Sequence, residues 1–287
     1  MQIAFFGLGN MGFPIAANLL KHDHTVVTAV HRNPEPAQRL QALGGIIAAS
    51  PAEAARDAEV IFTIVPEDQA LLKLLLDPAM ADAIAAGSVI VDMTSASAGA
   101  IRTISEFYEA RGVEVLDAPV SGGVKGATAG TMSMLCAGKE AVFQKVSPVL
   151  EHISGKRCFV GTEPGQGKVV NSLNNLLNAI NKAAVGEAWQ MAEACGIQPD
   201  AFEEAISASS GDSYAFRTTF PRIRAQDYSP AFTVALMRKD VGLAMAMADG
   251  KCLPLGETTL KYYQLAEEFD REDSSAVTKV RFPAEAD

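Results

Sequence analysis

Short apolar runs alternate with segments whose apolar residues recur every three or four positions through about the first 160 residues. The runs are apolar at consecutive positions, which predicts strands that are buried on both faces. They cover residues 2–6, 25–30, 60–65, 88–94, 113–120, 131–138 and 157–161. The segments between several of these runs have the period of a helix. Such alternation is typical of a parallel sheet covered by helices on both faces, so we expect an α/β, doubly wound domain.

The pattern changes after Gly167. Residues 169–196 form a single run with helical periodicity, and further helical segments follow at 199–209, 231–250 and 255–269, without a strand pattern between them. We therefore predict two domains, a doubly wound domain at 1–162 and an all-α domain at 163–287 that begins with a long interdomain helix. We expect residues 274–287 to be ordered only in part.

A glycine-rich turn, GLGNMG, joins the first predicted strand to the first predicted helix. Gly7 permits the tight turn, Gly9 lets a pyrophosphate approach the backbone, and Gly12 lets the helix pack against its strand. The free N–H groups of that helix can then hold a diphosphate. Since the motif opens a βαβ unit, it predicts a Rossmann fold and a dinucleotide site. The site is formed by Gly7, Leu8, Gly9, Asn10, Met11 and Gly12.

The residues after the second strand bear on the choice between the two nicotinamide cofactors. An acidic residue there binds the ribose 2′-hydroxyl and repels a 2′-phosphate. This chain has His31, Arg32 and Asn33, with no Asp or Glu before Glu35. A guanidinium is available for the phosphate, so we expect NADP(H) to be preferred. NAD(H) remains possible if Arg32 is only a solvated surface charge.

Composition excludes several other classes of protein. The formal net charge of -10 argues against a nucleic-acid partner, which requires clustered Lys and Arg. No apolar run reaches the ~18–20 residues of a membrane span, and the N-terminus lacks the features of a signal peptide. The four cysteines show no metal-ligand spacing with the four histidines, so no metal is expected. We expect a soluble, cytoplasmic protein with a small-molecule substrate.

Several motifs taken together resemble the β-hydroxyacid dehydrogenases, the family of 3-hydroxyisobutyrate dehydrogenase and tartronate semialdehyde reductase. They are GLGNMGFPIAANLL at the start, IVPED at 64–68, VDMTSAS at 91–97, DAPVSGGVKGATAGTMSMLCAG at 117–138 and KDVGLAM at 239–245. The resemblance covers nearly the whole chain. It implies a Rossmann domain joined by a long helix to a helical domain, an active site in the cleft between them, and a homodimer or homotetramer formed through the helical domain.

The resemblance also implies roles for individual residues. Those expected at the cofactor are Val65 and Pro66, beside the nicotinamide ribose, and Thr94. Those expected to hold a substrate carboxylate are Ser121, Gly122 and Gly123, whose hydroxyl and N–H groups are suitable donors. Lys239 and Asp240 match a pair that reaches toward the cofactor and the cleft, and Asn175 belongs to a pair of asparagines near the catalytic residue.

One position departs from the family. Members carry a proton-donating lysine in the pattern GxGxxxKxxNN, and the gapless alignment with GQGKVVNSLNN places Asn171 at that lysine. The alternative alignment makes Lys168 the catalytic lysine but requires a three-residue deletion. An asparagine amide can orient a substrate by hydrogen bonding, but it cannot release a proton at neutral pH.

Three functions therefore stay open. The first is an NADPH-preferring dehydrogenase that transfers hydride between nicotinamide and a small carbonyl or hydroxyacid substrate. The second is an imine reductase, since an iminium substrate arrives protonated and needs no enzymic acid in the hydride step, and related imine reductases also lack the lysine. The third is a cofactor-binding module without catalytic activity.

Overall fold

A computed structural model describes residues 1–281, which form two compact units that divide between Asn171 and Ser172. The first unit contains nine strands: β1 (Gln2–Phe6), β2 (Thr25–Ala29), β3 (Ile46–Ala48), β4 (Val60–Thr63), β5 (Val89–Asp92), β6 (Glu114–Asp117), β7 (Val120–Ser121), β8 (Met132–Ala137) and β9 (Ser154–Gly161). Its helices are α1 (Gly12–Lys21), α2 (Glu35–Ala42), α3 (Pro51–Ala55), α4 (Asp68–Leu75), α5 (Pro78–Ala83), α6 (Ala98–Glu109), α7 (Gly123–Ala129) and α8 (Glu140–Leu150).

The strand order β3-β2-β1-β4-β5-β6 is that of a doubly wound nucleotide-binding sheet, and these six strands are parallel. The fold class predicted from the sequence is confirmed. The expectation of a wholly parallel sheet is wrong at β8, which pairs antiparallel with both β6 and β7. The segment between β6 and β8 contains β7 and α7, and the chain returns from α7 in the direction opposite to β6 and β7.

The core of the first unit lies in two layers, one on each face of the sheet. Consecutive strand residues alternate between them. Ile3 and Phe5 pack with α1 and α8 residues, whereas Ala4 and Phe6 pack with residues of α3, α4 and α6. This explains why the strands are apolar at consecutive positions. Short helices α3, α5, α7 and α8 and strand β3 had not been predicted.

The second unit is all helical, as predicted. It comprises most of α9 (Gln166–Ala194), together with α10 (Pro199–Ser207), α11 (Tyr214–Ala225), α12 (Val234–Ala246) and α13 (Pro254–Leu265). Helix α11 had not been predicted. A 3-10 helix at Ser274–Lys279 is largely buried and packs with α9, α12 and α13 in one core. Among the described residues, no helix combines the length and apolar character needed to cross a membrane.

Candidate active site

The glycine loop lies between β1 and α1, at the carboxyl edge of the parallel strands. A Cβ on Gly7 would lie 2.0 Å from the carbonyl oxygen of Ile64, and a Cβ on Gly12 would lie 1.8 Å from the carbonyl oxygen of Gly7. Packing alone therefore excludes side chains at both positions. Gly9 differs, because its Cβ position has no neighbouring atom within 4 Å. The loop thus leaves open space above Gly9.

Of the other residues of this loop, some pack against the hydrophobic core and one is exposed to solvent. Leu8 and Met11 pack against the core beneath the sheet, and Asn10 is exposed. No side chain caps the N-terminus of α1, and no acidic residue lies in its first turn. The Phe13 N–H donates to the Gly9 carbonyl oxygen at 3.0 Å and Pro14 has no N–H, so a phosphate here would be bound by the N–H groups that precede Phe13.

The β2–α2 loop presents three exposed polar residues. His31, Arg32 and Asn33 are all solvent-accessible, and the Oδ1 atom of Asn33 accepts a hydrogen bond from the Glu35 N–H at 3.0 Å. Arg32 forms no ion pair with any of the residues 1–281. Within this part of the chain, its guanidinium is therefore not neutralised by a carboxylate.

Val65 and Thr94 follow β4 and β5 at the same edge of the sheet. The Val65 N–H donates to the Thr94 hydroxyl oxygen at 3.1 Å, and that hydroxyl donates to the Asp92 carboxylate at 2.6 Å. Thr94 is fully buried. Its hydroxyl is therefore engaged within the protein and fixes the backbone of the Val65 loop, and Pro66 follows this loop at the surface.

Strand register places two carboxylates side by side beneath this edge. Asp92 ends β5, Asp117 ends β6, and the two residues are direct neighbours in the parallel ladder. Both side chains are fully buried. Two adjacent buried carboxylates repel each other and need a cation.

Lys168 supplies that cation. Its Nζ atom lies 2.8 Å from an Asp92 carboxylate oxygen and 2.9 Å from one of Asp117, and it donates to the Asp92 carbonyl oxygen at 3.0 Å. Burial favours the neutral amine and lowers the pKa of Lys168, but the two carboxylates outweigh burial, so the pKa is raised above its ordinary value. With 1% of its surface exposed, the ammonium is held as a charged donor inside the protein.

The Asp117 side chain also binds the N-terminus of the long helix α9. Its Oδ2 atom accepts hydrogen bonds from the N–H groups of Gly165 at 2.9 Å and Lys168 at 3.0 Å. A Cβ on Gly167 would lie 2.4 Å from the carbonyl oxygen of Leu135, so the first turn of α9 packs directly on the sheet. A carboxylate from a neighbouring strand therefore does the work of a helix cap.

Asn171 follows Lys168 by three positions, so the two side chains are neighbours on the surface of α9. Asn171 is 3% exposed. Its amide makes no hydrogen bond with any group of the described residues. Neither polar atom of the Asn171 amide is among the fully buried side-chain atoms that lack a partner in residues 1–281, so the amide still reaches solvent. Asn171 can therefore offer a donor and an acceptor to a ligand.

Ser121 ends β7, and Gly122 and Gly123 form the turn into α7. These glycines have φ angles of 140° and 61°, in the region that favours glycine. No side chain caps α7, so the first N–H groups of the turn have no partner from a capping side chain. Ser121 and Gly123 are partly exposed. The turn thus brings the Ser121 residue directly before two glycines whose backbone N–H groups lack a capping side chain.

The remaining candidate residues lie in the second unit. Asn175 donates to an Asp240 carboxylate oxygen at 2.7 Å and accepts from Asn174 at 3.1 Å, so both ends of its amide are engaged. Lys239 lies 3.4 Å from the other oxygen of Asp240. Burial raises the pKa of Asp240, although Lys239 and the Asn175 hydrogen bond act in the opposite direction. The structure therefore joins Asn175 and Asp240 in one hydrogen-bonded pair.

The sequence analysis did not anticipate the contacts between Lys168 and the two aspartates. A signal was present, since the runs VIVD and EVLD both end in Asp and lie on adjacent strands of the predicted sheet. In an in-register parallel pair these ends must meet. In residues 1–281, no cluster of three or more His, Cys, Asp or Glu side chains could hold a metal ion.

Comparison with protein families places both halves of the chain in related groups. Residues 2–161 match the NAD binding domain of 6-phosphogluconate dehydrogenase. Residues 165–281 match the NAD-binding region of NADP-dependent 3-hydroxyisobutyrate dehydrogenase.

Individual relatives extend over the full chain. A 2-(hydroxymethyl)glutarate dehydrogenase from Eubacterium barkeri is 36% identical over 286 residues, covering 98% of this chain and 94% of the relative. The structure of a 3-hydroxyisobutyrate dehydrogenase from Mycobacterium tuberculosis with L-serine superimposes with a TM-score of 0.90. It is 32% identical, and the match covers 96% of this chain and 97% of that chain.

Imine reductases share the fold at greater distance. An imine reductase from Pseudomonas sp. superimposes with a TM-score of 0.65 at 21% identity, covering 96% of this chain and 98% of that chain. At this identity the likeness concerns the fold alone.

Proposed function

Because the chain is an NAD(P)-dependent oxidoreductase of the β-hydroxyacid dehydrogenase family, we propose that it prefers NADPH and acts on a small substrate that carries a carboxylate. The bound cofactor would supply a hydride to a carbonyl carbon, and the resulting alkoxide would take its proton from solvent water, because the amide of Asn171 cannot release one. The amide of Asn171 orients the reacting oxygen, and Ser121, Gly122 and Gly123 hold the carboxylate.

The glycine loop and Arg32 support the cofactor part of this proposal. The open space at Gly9 and the uncapped N-terminus of α1 suit a diphosphate. Arg32 is exposed and has no carboxylate partner in the described chain, so it can pair with a 2′-phosphate. When bound, the cofactor supplies the hydride. The protein residues supply its binding and the orientation of the substrate.

One observation carries the proposed division of roles. The Lys168 ammonium is committed to Asp92 and Asp117, whereas the neighbouring Asn171 amide makes no hydrogen bond within residues 1–281. A lysine that is buried with a raised pKa is a poor general acid near neutral pH. We infer that Lys168 is structural and that Asn171 meets the substrate.

The same observation favours a second candidate, reduction of a protonated imine. A carbonyl that accepts a hydride becomes an alkoxide and must take a proton, which neither Asn171 nor the sequestered Lys168 supplies. An iminium carbon that accepts a hydride becomes a neutral amine without any proton transfer. An imine that also bears a carboxylate would use both Asn171 and the Ser121 turn.

Steady-state oxidation of NADPH tests these candidates with succinate semialdehyde, glyoxylate and a cyclic imine as substrates. Wild type, Asn171→Lys and Asn171→Leu are compared, so that the donor position carries an acid, an amide or no polar group. If the enzyme uses hydroxyacid chemistry, wild type reduces the aldehydes and Asn171→Leu loses about 10²-fold in kcat/KM. If it is an imine reductase, wild type reduces only the imine, and Asn171→Lys gains aldehyde reduction.

Binding of NADPH without turnover of any substrate would instead support a non-catalytic module. A measured Kd for NADPH by fluorescence distinguishes this outcome from a protein that fails to bind cofactor.

Arg32→Ala tests the cofactor preference. Loss of a charge-assisted contact with the 2′-phosphate should raise the Kd of NADPH about 10- to 100-fold and leave that of NADH unchanged. Arg56→Ala is the matched control, because Arg56 is an exposed arginine at the end of α3. Equal effects of the two variants would contradict the assignment of Arg32.

We also propose a homodimer or homotetramer formed through the helical unit. Helix α9 carries a stripe of apolar side chains on one exposed face, including Leu173, Leu177 and Met191, of which Leu177 is 63% and Met191 71% exposed. Spacings of four and fourteen residues place them in one line along the helix. Leu177→Glu should yield a monomer by light scattering if this stripe is the interface.

A further inference from the structure

We propose that Lys168 is a positioning residue, which uses its contacts with Asp92 and Asp117 to fix both Asn171 and the Val65 loop in the geometry required for hydride transfer. This inference rests on the proposed role of Asn171. It concerns a residue whose side chain touches neither substrate nor cofactor.

The first step concerns the strand ends. Thr63, Asp92 and Asp117 stand in one row across β4, β5 and β6, because each is the direct ladder neighbour of the next. The Thr63 hydroxyl donates to Asp92 at 2.6 Å, and Lys168 bridges Asp92 and Asp117. Three strands and one helix are thereby joined at a single buried ammonium.

The second step leads from this ammonium to Asn171. Asp117 accepts hydrogen bonds from the N–H groups of Gly165 and Lys168, and the Lys168 side chain returns to the same carboxylate. The first turn of α9 is therefore held from its backbone and from a side chain. Since Asn171 lies one turn further along a continuous helix, its amide takes a fixed place relative to the sheet.

The third step leads from the ammonium to the cofactor loop. Asp92 accepts the Thr94 hydroxyl, and the Thr94 hydroxyl accepts the Val65 N–H. The oxygen of Asp92 that does not bind Thr94 faces Lys168. Loss of the ammonium would leave that oxygen repelled by Asp117, and the carboxylate would reorient at the expense of Thr94 and Val65.

The cost of burial argues that this arrangement does more than fill space. Burial of Lys168, Asp92 and Asp117 together is costly, and apolar side chains of similar volume are often as stabilising. Apolar side chains do not fix the orientation of neighbouring groups. Hydrogen bonds and ion pairs do, because they require particular atoms to meet. Reaction rates are sensitive to such placement, since a shift of ~1 Å in a reacting group can cost about 10²-fold.

The experiment compares variants that differ in the number of buried charged groups. This separates an effect on the geometry of the site from an effect on the stability of the fold. Lys168→Met leaves two facing carboxylates. The double variant Lys168→Met/Asp117→Asn removes one of those charges and keeps an amide oxygen that can accept from the N–H groups at the start of α9. Lys182→Met is the matched control, because Lys182 is a second buried lysine on α9 whose partners, Ser274 and Asp273, lie in the helical unit. Each variant is assayed for thermal stability, kcat, KM and the Kd of NADPH.

We expect the double variant to recover much of the thermal stability that Lys168→Met loses, yet to keep a kcat about 10²-fold below wild type. Its substrate KM should change by less than about threefold. Lys182→Met should keep the wild-type kcat. If the double variant regains both stability and a kcat within about threefold of wild type, Lys168 is only structural and the proposal is overturned.

Hydrogen exchange supplies a readout that does not depend on turnover. In the double variant, the backbone amides of the first two turns of α9 should exchange about tenfold faster than in wild type, and those of its last turns should be unchanged. Unchanged exchange in the first turns overturns the proposal. If wild type turns over no substrate, the proposed function fails, and hydrogen exchange still decides whether Lys168 holds the helix.

Discussion

Lys168 and Lys182 lie about four turns apart on the same helix and are both buried, yet their surroundings have opposite effects on their charge. Two carboxylate oxygens within 2.9 Å raise the pKa of Lys168. Lys182 has the Ser274 hydroxyl at 2.6 Å and one carboxylate, that of Asp273, at 4.0 Å. Burial therefore prevails and lowers the pKa of Lys182, and Arg222 lowers it further. The number and closeness of the carboxylates, rather than burial, decide how a buried lysine behaves.

The largest expected difference between the two lysines is in stability. Lys168→Met leaves two adjacent buried carboxylates without a cation and should lower the free energy of unfolding by about 3–5 kcal/mol. Lys182→Met replaces a disfavoured buried charge with an apolar chain and should change it by no more than about 1 kcal/mol. Urea unfolding of both variants measures the difference. Equal losses would mean that burial, and not the carboxylates, sets the contribution of each lysine.

A smaller effect is expected at the carboxylate beside Lys182. The Asp273 carboxylate accepts from the Ser275 N–H at 3.0 Å and hydroxyl at 2.7 Å, and from the Phe232 N–H at 3.2 Å. Burial raises the pKa of Asp273, but Lys182 and these donors outweigh it, so the pKa is lowered. Asp273→Asn should therefore cost about 1–3 kcal/mol at neutral pH.

The sign of this contribution can be checked against pH. Because the folded pKa of Asp273 is depressed, its stabilisation is present above the unfolded pKa of about 3.9 and is lost as pH falls through the folded value. The difference in unfolding free energy between wild type and Asp273→Asn should shrink in acid. Asp200→Asn, at an exposed surface ion pair with Arg224, serves as the control and should change stability by less than about 0.5 kcal/mol.

At alkaline pH, the contributions of Lys168 and Lys182 to the free energy of unfolding should change by smaller amounts and in opposite directions. Below its lowered folded pKa, Lys182 is charged in both states. Between that value and the unfolded pKa of about 10.4, the unfolded chain holds more protons, so stability attributable to Lys182 rises with pH. The raised pKa of Lys168 gives a contribution that is constant below about pH 10.4 and lost above it.

Thermal melts from about pH 8 to pH 10 test this difference. Wild type should gain stability relative to Lys182→Met as pH rises. The difference between wild type and Lys168→Met should stay constant over the same range. A constant difference for Lys182→Met as well would show that its amine is not disfavoured as a cation.

The smallest expected effect on stability concerns a cluster of three histidine rings, those of His22, His24 and His152. The His22 and His152 rings stack at 4.1 Å, and the His24 Nε2 and His152 Nδ1 atoms lie 2.9 Å apart. Burial, together with neighbouring positive charge, lowers the pKa of His24 and of His152. As pH falls below the unfolded value of about 6.5, the unfolded chain binds more protons, so stability declines.

His152→Gln should weaken this decline in stability between about pH 7 and pH 5. His31→Gln is the control, because it removes a histidine from another loop and leaves the three rings in place. Thermal melts in buffers of equal ionic strength provide the measurement. Identical pH profiles for the two variants would contradict a role for the stacked rings.

The sequence predicted most strands of the sheet and the long helix because their apolar patterns are strong, but it missed the short strand β3 and merged β6 and β7 into one run. It did not predict α7 or α11, since the former is short and glycine-rich and the latter carries several charged residues and an internal proline. It also gave no sign that Ser274–Lys279 is buried. That burial depends on contacts with Lys182 and Tyr263, which are distant along the chain.

The candidate site shows the same limit. Motif and spacing led to the predictions for the glycine loop, the Ser121 turn and the Asn171 position, because each is a local pattern. The engagement of Lys168 depends on which strand ends are adjacent, and the single ammonium between Asp92 and Asp117 follows from a register that periodicity alone does not give. The contacts that commit Lys168 to Asp92 and Asp117 were therefore visible only in three dimensions.

The three glycines of the first loop differ in what they allow a protein engineer to do. Gly7 and Gly12 would be required even in a chain that bound no dinucleotide, because backbone atoms occupy the space of their side chains. Gly9 has no such constraint, so a side chain there would obstruct the diphosphate and leave the fold intact. We therefore expect substitution of Gly9 to give a folded protein with weakened cofactor binding, in which the stability of the fold can be studied apart from redox chemistry.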